Sequence, residues 1–372
     1  MGFLTKQKKV DRPLLISLVV LVVVGFIIFS SASLGLLAKG TAAYKSATFN
    51  QLAFGIGLGG LACFLCALIP YSFWKKNAFW IFLFSSFTML LVFVPGVGIS
   101  TLGARRWIHL GTYSIQPVEF YKIGFVLYLA VWLTMFKSKI STFKKGTLPF
   151  IILMIISAAL ILAQPDTDTF FVVFLAGLGM FIAAGGRWRD IFLLGLASVI
   201  LIAALAFSRP YVMKRIETFI HPANDPLNSG YQVQQSLIAI GSGQLTGRGY
   251  GQSIQKFNFL PESNSDSIFA VAAEEFGFVG SVVVVLLYLF FAFRGLKIAI
   301  RVPDIFGRLV TVGIVILIIS QSLVNMAAML AIMPLSGTPL LFISHGGTAM
   351  LFALASVGIV LNISRYQSLK KS

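Results

Sequence analysis

Only 11% of this chain is charged and 58% is hydrophobic, so ionisable residues set among apolar neighbours are the first candidates for chemistry. The segment Leu260-Pro261-Glu262-Ser263-Asn264-Ser265-Asp266 brings a carboxylate, Asp266, to the start of a long apolar run. A carboxylate there either caps a helix N-terminus or serves as a general base for a hydroxyl arriving at the membrane edge. Glu274 and Glu275 follow two turns deeper. At about 100° per residue, Glu274 points roughly 80° away from Asp266 and Glu275 points to the opposite side. The three cannot act on one atom, and the glutamates are expected to pair with neighbouring helices or line a cavity. Glu119 and Lys122 lie three apart and share a helix face, as a structural ion pair or as the wall of a charged cavity. Asp166 and Asp168 occupy a tight turn, where at least one is expected to cap the next helix.

Positioning these residues requires membrane spans. A soluble domain carries roughly 25% charged residues, far more than this chain. A span needs about 20 apolar residues, and continuous apolar runs recur from Leu14 to Ile363. A β-barrel would alternate instead. The expected fold is therefore all-α, a polytopic integral membrane protein of about ten transmembrane helices. They lie at roughly 14–37, 49–70, 77–96, 117–136, 148–164, 169–185, 190–208, 267–293, 309–333 and 344–363.

Charge sets the orientation. With the N-terminus in the cytoplasm, the inside segments hold Lys6, Lys8, Lys9 and Arg12; Lys75 and Lys76; Lys137, Lys139, Lys144 and Lys145; Arg187 and Arg189; Arg294, Lys297, Arg301 and Arg308; and Arg365, Lys370 and Lys371. The short outside segments hold only Lys39, Lys45, Arg105 and Arg106. This is the positive-inside pattern, with both termini cytoplasmic. It explains the net charge of +17 without nucleic acid as a partner.

The chain reads as one membrane domain, 1–372, with cytoplasmic tails at 1–13 and 364–372 and a large extracytoplasmic loop at 209–265. Loops of that length are functional or disordered. The apolar patch Ser236-Leu237-Ile238-Ala239-Ile240, followed by glycines 241, 243, 247, 249 and 251, points to a structured re-entrant or interfacial segment. Cys63 and Cys66 sit within an apolar run and read as packing residues. The first apolar run is too long for a cleavable signal.

Taken in order, the motifs resemble the FtsW/RodA/SpoVE family, the SEDS proteins of bacterial cell-wall synthesis, across nearly the whole chain. They are Phe29-Ser30-Ser31-Ala32-Ser33; Gly103-Ala104-Arg105-Arg106-Trp107-Ile108; Leu110-Gly111; Gln116-Pro117 with Glu119 and Lys122; Asp225-Pro226; and Gly230-Tyr231-Gln232. Gln235-Ser236-Leu237-Ile238-Ala239, Gly247, Gly249, Gly251, Ser253, Gln255-Lys256, Leu260-Pro261-Glu262 and Asp266 follow, then Pro334, Gly337, Phe342-Ile343-Ser344 and Gly346-Gly347. The Gly-Ala-Arg-Arg-Trp-Ile and Gly-x-Gly-x-Ser-x-Gln-Lys runs look most like the cell-division branch, FtsW. Five positions depart from the family pattern: Asn264-Ser265 replaces His-Thr before the aspartate, Asp168 replaces a glycine, Val118 a serine and His345 a tyrosine.

The resemblance implies the SEDS fold and a peptidoglycan glycosyltransferase that polymerises lipid II at the outer face of the cytoplasmic membrane, at the division septum. The acceptor sugar hydroxyl would attack an α-linked anomeric carbon to give a β-1,4 bond. That is an inverting displacement needing one base, for which Asp266 is retained. Undecaprenyl pyrophosphate is the leaving group. Arg105, Arg106, Lys214, Arg215 and Lys256 are the outside cations available to it, although Arg105, Arg106 and Trp107 could equally anchor to headgroups. Glu119, Lys122, Glu262 and Ser344 are the further substrate-binding candidates. A divalent cation, Mg2+ or Mn2+, could share the charge, and no organic cofactor is implied. Expected partners are lipid II, the lipid-linked glycan, a class B penicillin-binding transpeptidase and other divisome membrane proteins. A lipid II flippase and a non-catalytic division scaffold are the rival readings. Against the flippase stands the lack of any sign of helices broken at the midplane in paired halves.

Overall fold

The computed structural model of the chain describes residues 9–101, 104–110, 113–222, 225 and 229–367. Gly103, Gly111 and Pro226 of the motifs, and the terminal cations Lys6, Lys8, Lys370 and Lys371, lie outside the described residues.

Helix α1 runs Arg12–Ser33, opened by Asp11, whose side chain accepts from the Leu14 N–H. Helices α2 (Thr41–Asn50) and α3 (Gly59–Leu68) are joined by a π-helical stretch, Gln51–Leu58, into one continuous rod. Next come α4 (Tyr71–Leu91), α5 (Pro117–Met135), α6 (Leu148–Leu162), α7 (Thr167–Ala183) and α8 (Trp188–Ser208). Proline stands in the first turn of α1, α5 and α6, where its missing N–H costs nothing. Two shorter helices, α9 (Pro210–Ile220) and α10 (Ser229–Ser242), precede α11 (Ile268–Arg301), α12 (Ile305–Met329) and α13 (Gly347–Ser364).

Eight of these helical stretches are long and apolar enough to cross a membrane. Of the ten expected spans, the other two are α7, with 17 residues, and α4, which carries Lys75, Lys76 and Asn77. Each expected span has a helix in the expected order, eight of them long and apolar enough to cross a membrane among the described residues, while the third lies earlier in the chain than 77–96. Large apolar side chains such as Phe64, Trp80, Phe192 and Phe207 face outward, the surface a bilayer covers. Helix α12 forms the centre, packed by α5, α7, α11 and α13.

The all-α expectation holds, and two features add to it. Residues after α4 form an antiparallel three-stranded sheet, β1 (Gly98–Thr101), β2 (Ala104–Leu110) and β3 (Tyr113–Ile115), in the order β1-β2-β3. And α11 is interrupted: Gly277 takes φ 66 and ψ −164 inside it. The freed backbone groups are claimed by the preceding loop. The N–H groups of Arg248 and Gly249 donate to the Glu274 and Glu275 carbonyls, each at 3.0 Å, and those of Phe278 and Val279 donate to Gln244 and Leu245 at 2.8 and 3.1 Å. A Cβ on Gly247 would stand 2.1 Å from the Glu275 carbonyl oxygen, so only glycine lets the loop enter the break. A broken span is thus present. It is filled by backbone rather than open to water, as non-helical chain at membrane depth requires.

Candidate active site

Asp266 immediately precedes Ser267, the residue that opens α11, and Ser267 makes no side-chain cap bond. The capping alternative therefore falls away. The backbone around Asp266 is held from three directions. From α12, the Asn325 side-chain amide donates to the Asp266 carbonyl at 2.8 Å and to Thr338 O at 2.9 Å. From the segment before α13, Ser344 Oγ donates to Ser265 O at 2.6 Å and the His345 N–H to Asn264 O at 2.8 Å. From α10, Gln232 Nε2 donates to Ser267 Oγ at 2.9 Å.

The Asp266 carboxylate itself, half-buried, forms no hydrogen bond or ion pair among the described residues. Around it stand charged groups from four elements. A Cβ placed on Gly337 would lie 3.9 Å from Asp266 Oδ2 and 4.0 Å from Arg215 Nη2, so Gly337 leaves the space between them open. Arg215, on α9, pairs with Asp168 Oδ2 at 2.7 Å. Asp168 Oδ2 also accepts from the Gly337 N–H at 3.2 Å. Arg106, on β2, donates to Gln164 O at 3.0 Å and to Pro165 O. Burial, then the nearby carboxylates of Glu262 and Asp168, push the Asp266 carboxyl up to about 7, while Arg106 and Arg215 pull it down. A carboxylate with that proton affinity is a competent base near neutral pH.

The structure brings Asp266, Arg106, Arg215 and Glu262 together and separates the other candidates from them. Arg105 alternates with Arg106 along β2 and is exposed. Lys214 is exposed beside Asp225 at 3.5 Å. Glu119 and Lys122 form a buried pair at 2.7 Å inside the bundle, with Lys122 also donating to Gln321 on α12 at 2.7 Å. That corrects their assignment as substrate contacts. Ser344 is likewise structural, its hydroxyl bridging Leu340 N and Ser265 O.

Lys256 is the clearest correction. Its ammonium is fully buried and donates to Glu275 Oε1 at 2.7 Å, Ser31 Oγ at 3.0 Å and Gly251 O at 2.9 Å. All three protons are used, leaving none for a phosphate. Glu274 next to it accepts from Ser253 Oγ at 2.5 Å and from the Ile254 N–H at 3.0 Å. The two glutamates thus pair with neighbouring elements, and they pin the glycine-rich loop to α11 and α1.

Residue reasoning missed Asn325, Gln321 and the charge role of Asp168. Gln321 and Asn325 lie four apart on an apolar span, one helix face presenting two amides at membrane depth. Gln321 Nε2 donates to Pro339 O at 3.1 Å, so this face holds the 337–339 backbone against Asp266. Asp166 does the capping in its turn, accepting from the Thr169 N–H at 3.2 Å, which leaves Asp168 for Arg215.

Among the described residues no group of three or more His, Cys, Asp or Glu could hold a metal ion. With Asp168 committed to Arg215 and two guanidinium groups facing Asp266, these side chains do not fit a resident divalent cation.

The family model described as cell cycle protein, FtsW/RodA/SpoVE, matches residues 12–369. Stage V sporulation protein E of Bacillus subtilis (strain 168) is 36% identical over 370 residues, covering 97% of this chain and 99% of its own length. A Geobacter sp. (strain M18) protein named probable peptidoglycan glycosyltransferase FtsW is 36% identical over 358 residues, 95% of this chain and 96% of its own. Among solved structures, a chain from work on coordinated polymerization and crosslinking by a peptidoglycan synthase complex matches with a TM-score of 0.78. It is 26% identical and covers 96% of this chain and 99% of its own. Rod shape determining protein RodA of Thermus thermophilus matches with a TM-score of 0.70 at 26% identity, over 96% and 98%.

Proposed function

Since this multi-pass membrane protein belongs to the FtsW/RodA/SpoVE family, we propose that it is a peptidoglycan glycosyltransferase polymerising lipid II, with Asp266 as its base. The observation that carries the reading is an unpaired carboxylate of raised proton affinity, backbone-clamped at one end of the bundle and flanked by two guanidinium groups. The 4-hydroxyl of the acceptor sugar gives its proton to Asp266 as its oxygen attacks the donor's anomeric carbon. The bond from that carbon to the pyrophosphate oxygen breaks in line, inverting the configuration. The departing charge falls to Arg106 and Arg215, whose planar forks suit phosphate oxygens. Pyrophosphate is a good leaving group, so no general acid is required. A Mg2+ or Mn2+ ion would enter as the pyrophosphate's own counter-ion, and no step here depends on it.

The positive-inside pattern supports cytoplasmic termini and an extracytoplasmic Asp266. The likeness to the division branch supports a septal role. Likeness to a chain of a synthase complex supports work beside a crosslinking transpeptidase and other division proteins. A flippase would need a polar pathway across the bundle. The interruption of α11 is instead plugged by residues 243–249, and its carboxylates are satisfied.

The test is a reconstituted assay with labelled lipid II, with and without the transpeptidase, on the unaltered protein and Asp266→Asn. Glycan polymer is expected from the former and a loss of at least about 100-fold in the latter. Equal polymer from both would remove the assigned chemistry. Lipid movement without polymer would support the flippase.

A further inference from the structure

Resting on that reading of Asp266, we propose that Asp168 is a positioning residue for the polymerisation, holding Arg215 off the Asp266 carboxylate so that the base stays unpaired. The argument begins with what Arg215 could otherwise do. Arg215 and Asp266 approach the same point beside Gly337, at 4.0 and 3.9 Å, and among the described residues no other atom comes within 4 Å of that point. A guanidinium that close to an unpaired carboxylate in a half-buried site is drawn to it. It would occupy the oxygens that must take the acceptor's proton.

Three contacts keep it away. Arg215 Nη1 donates to Asp168 Oδ2 at 2.7 Å and approaches Thr167 Oγ1 at 3.5 Å, both in the first turn of α7. The same Asp168 oxygen accepts from the Gly337 N–H, tying the tether to the strip of backbone that separates the two groups. Asp168 can serve this way because Asp166 has taken the capping role at the N-terminus of α7. The second arginine needs no such tether, because the carbonyls of Gln164 and Pro165 anchor Arg106 through Nε and Nη2 while its Nη1 stays available to phosphate.

Among the described residues the charges acting on Asp266 are Glu262 from its own loop, Asp168 from α7, Arg215 from α9 and Arg106 from β2, while α10, α12 and the segment before α13 present the neutral side chains Gln232, Asn325 and Ser344. Asp166 also acts on Arg215, Tyr211 lies among Arg215, Arg106 and Asp168, and His345 lies near Glu262. Removing the Asp168 charge therefore changes the site twice. It takes away a like charge from Asp266 and releases an opposite one toward it. Both changes weaken the base. A merely structural Asp168, cross-linking α7, α9 and the Gly337 backbone, would lower the yield of folded protein and shift the pH response only by the loss of its own like charge, leaving kcat at pH 8 unchanged.

The experiment uses the full-length protein in bilayer discs with lipid II and compares Asp168→Asn, Asp168→Glu and the double variant Asp168→Asn with Arg215→Gln. Asn keeps an acceptor oxygen for the Gly337 N–H and loses only the charge. Expected for Asp168→Asn are a kcat at pH 8 lowered about threefold to tenfold and an acidic limb moved about one pH unit lower. Asp168→Glu is expected to recover most of kcat. The double variant, with no arginine left to release, is expected to return the limb toward its original position. An Asp168→Asn protein with kcat at pH 8 unmoved overturns the tether while leaving Asp266 as base. Should Asp266→Asn itself still make polymer, the reading beneath both fails instead.

Discussion

If Asp266 is the base, polymerisation must follow its ionisation. With the carboxyl pushed up to about 7, roughly one-tenth is ionised at pH 6, half at pH 7 and nine-tenths at pH 8. The value of kcat/KM at limiting lipid II should therefore rise about tenfold between pH 6 and pH 8. An aspartate at its ordinary value near 3.9 would give a flat profile across that range. The donor's diester pyrophosphate does not titrate there, so the limb belongs to the protein. Arg215→Gln provides an internal check. It removes an attractive charge from Asp266, so the limb should move to higher pH by about one unit or more. Initial rates of fluorescent polymer formation, with protein integrity checked at each pH, supply the measurement. A profile flat from pH 5.5 to 8.5, or an Arg215→Gln limb displaced to lower pH, would refute the reasoning.

The same carboxylate carries a stability signature. Its folded-state proton affinity is raised, so its contribution is most favourable below pH 3.8 and is lost as pH rises through about 7. Asp266→Asn should thus raise the thermal midpoint at pH 8, and the gain should vanish near pH 4, as read by a thermal-shift assay. Lys256→Met strands Glu275 beside an apolar chain and should cost about 3–5 kcal/mol, seen as lost monodisperse protein, whereas pairing it with Glu275→Leu should recover much of that loss. Gly277→Ala meets Gly247 N at 2.3 Å and Leu245 O at 2.6 Å in a backbone conformation open to glycine, so folded yield should collapse by more than about 3 kcal/mol.

Much of the architecture could be read from the chain because membrane helices announce themselves. Continuous apolar runs and the capping aspartate of the turn before α7, Asp166, are local signals. Asp266 was legible for the opposite reason, as a charge where charge is costly. The sheet at 98–115 was not, since strands of three to seven residues pair through register rather than composition. Nor was the burial of Lys256: its partners, Ser31 and Glu275, lie 225 and 19 residues away. Gly277 hid in plain sight, because Phe276-Gly277-Phe278 reads as unbroken helix until the loop that fills the gap is known. Strand alternation would have separated Arg106 from Arg105 had the strand been foreseen.

Membranes vary in thickness, and a transmembrane rod answers by leaning. Residues 268–293, the apolar part of α11 ahead of Arg294, make about 39 Å of helix at 1.5 Å per residue, which exceeds a hydrocarbon core of about 30 Å and favours a lean. Were α11 rigid throughout, that lean would swing Asp266 sideways with every change of lipid. The joint at Gly277 separates the leaning shaft from the short outer piece, which is bolted to its neighbours through Asn325, Gln232 and Ser344. If Asp266 is the base, its position is thereby insulated from the elasticity of the lipid around it.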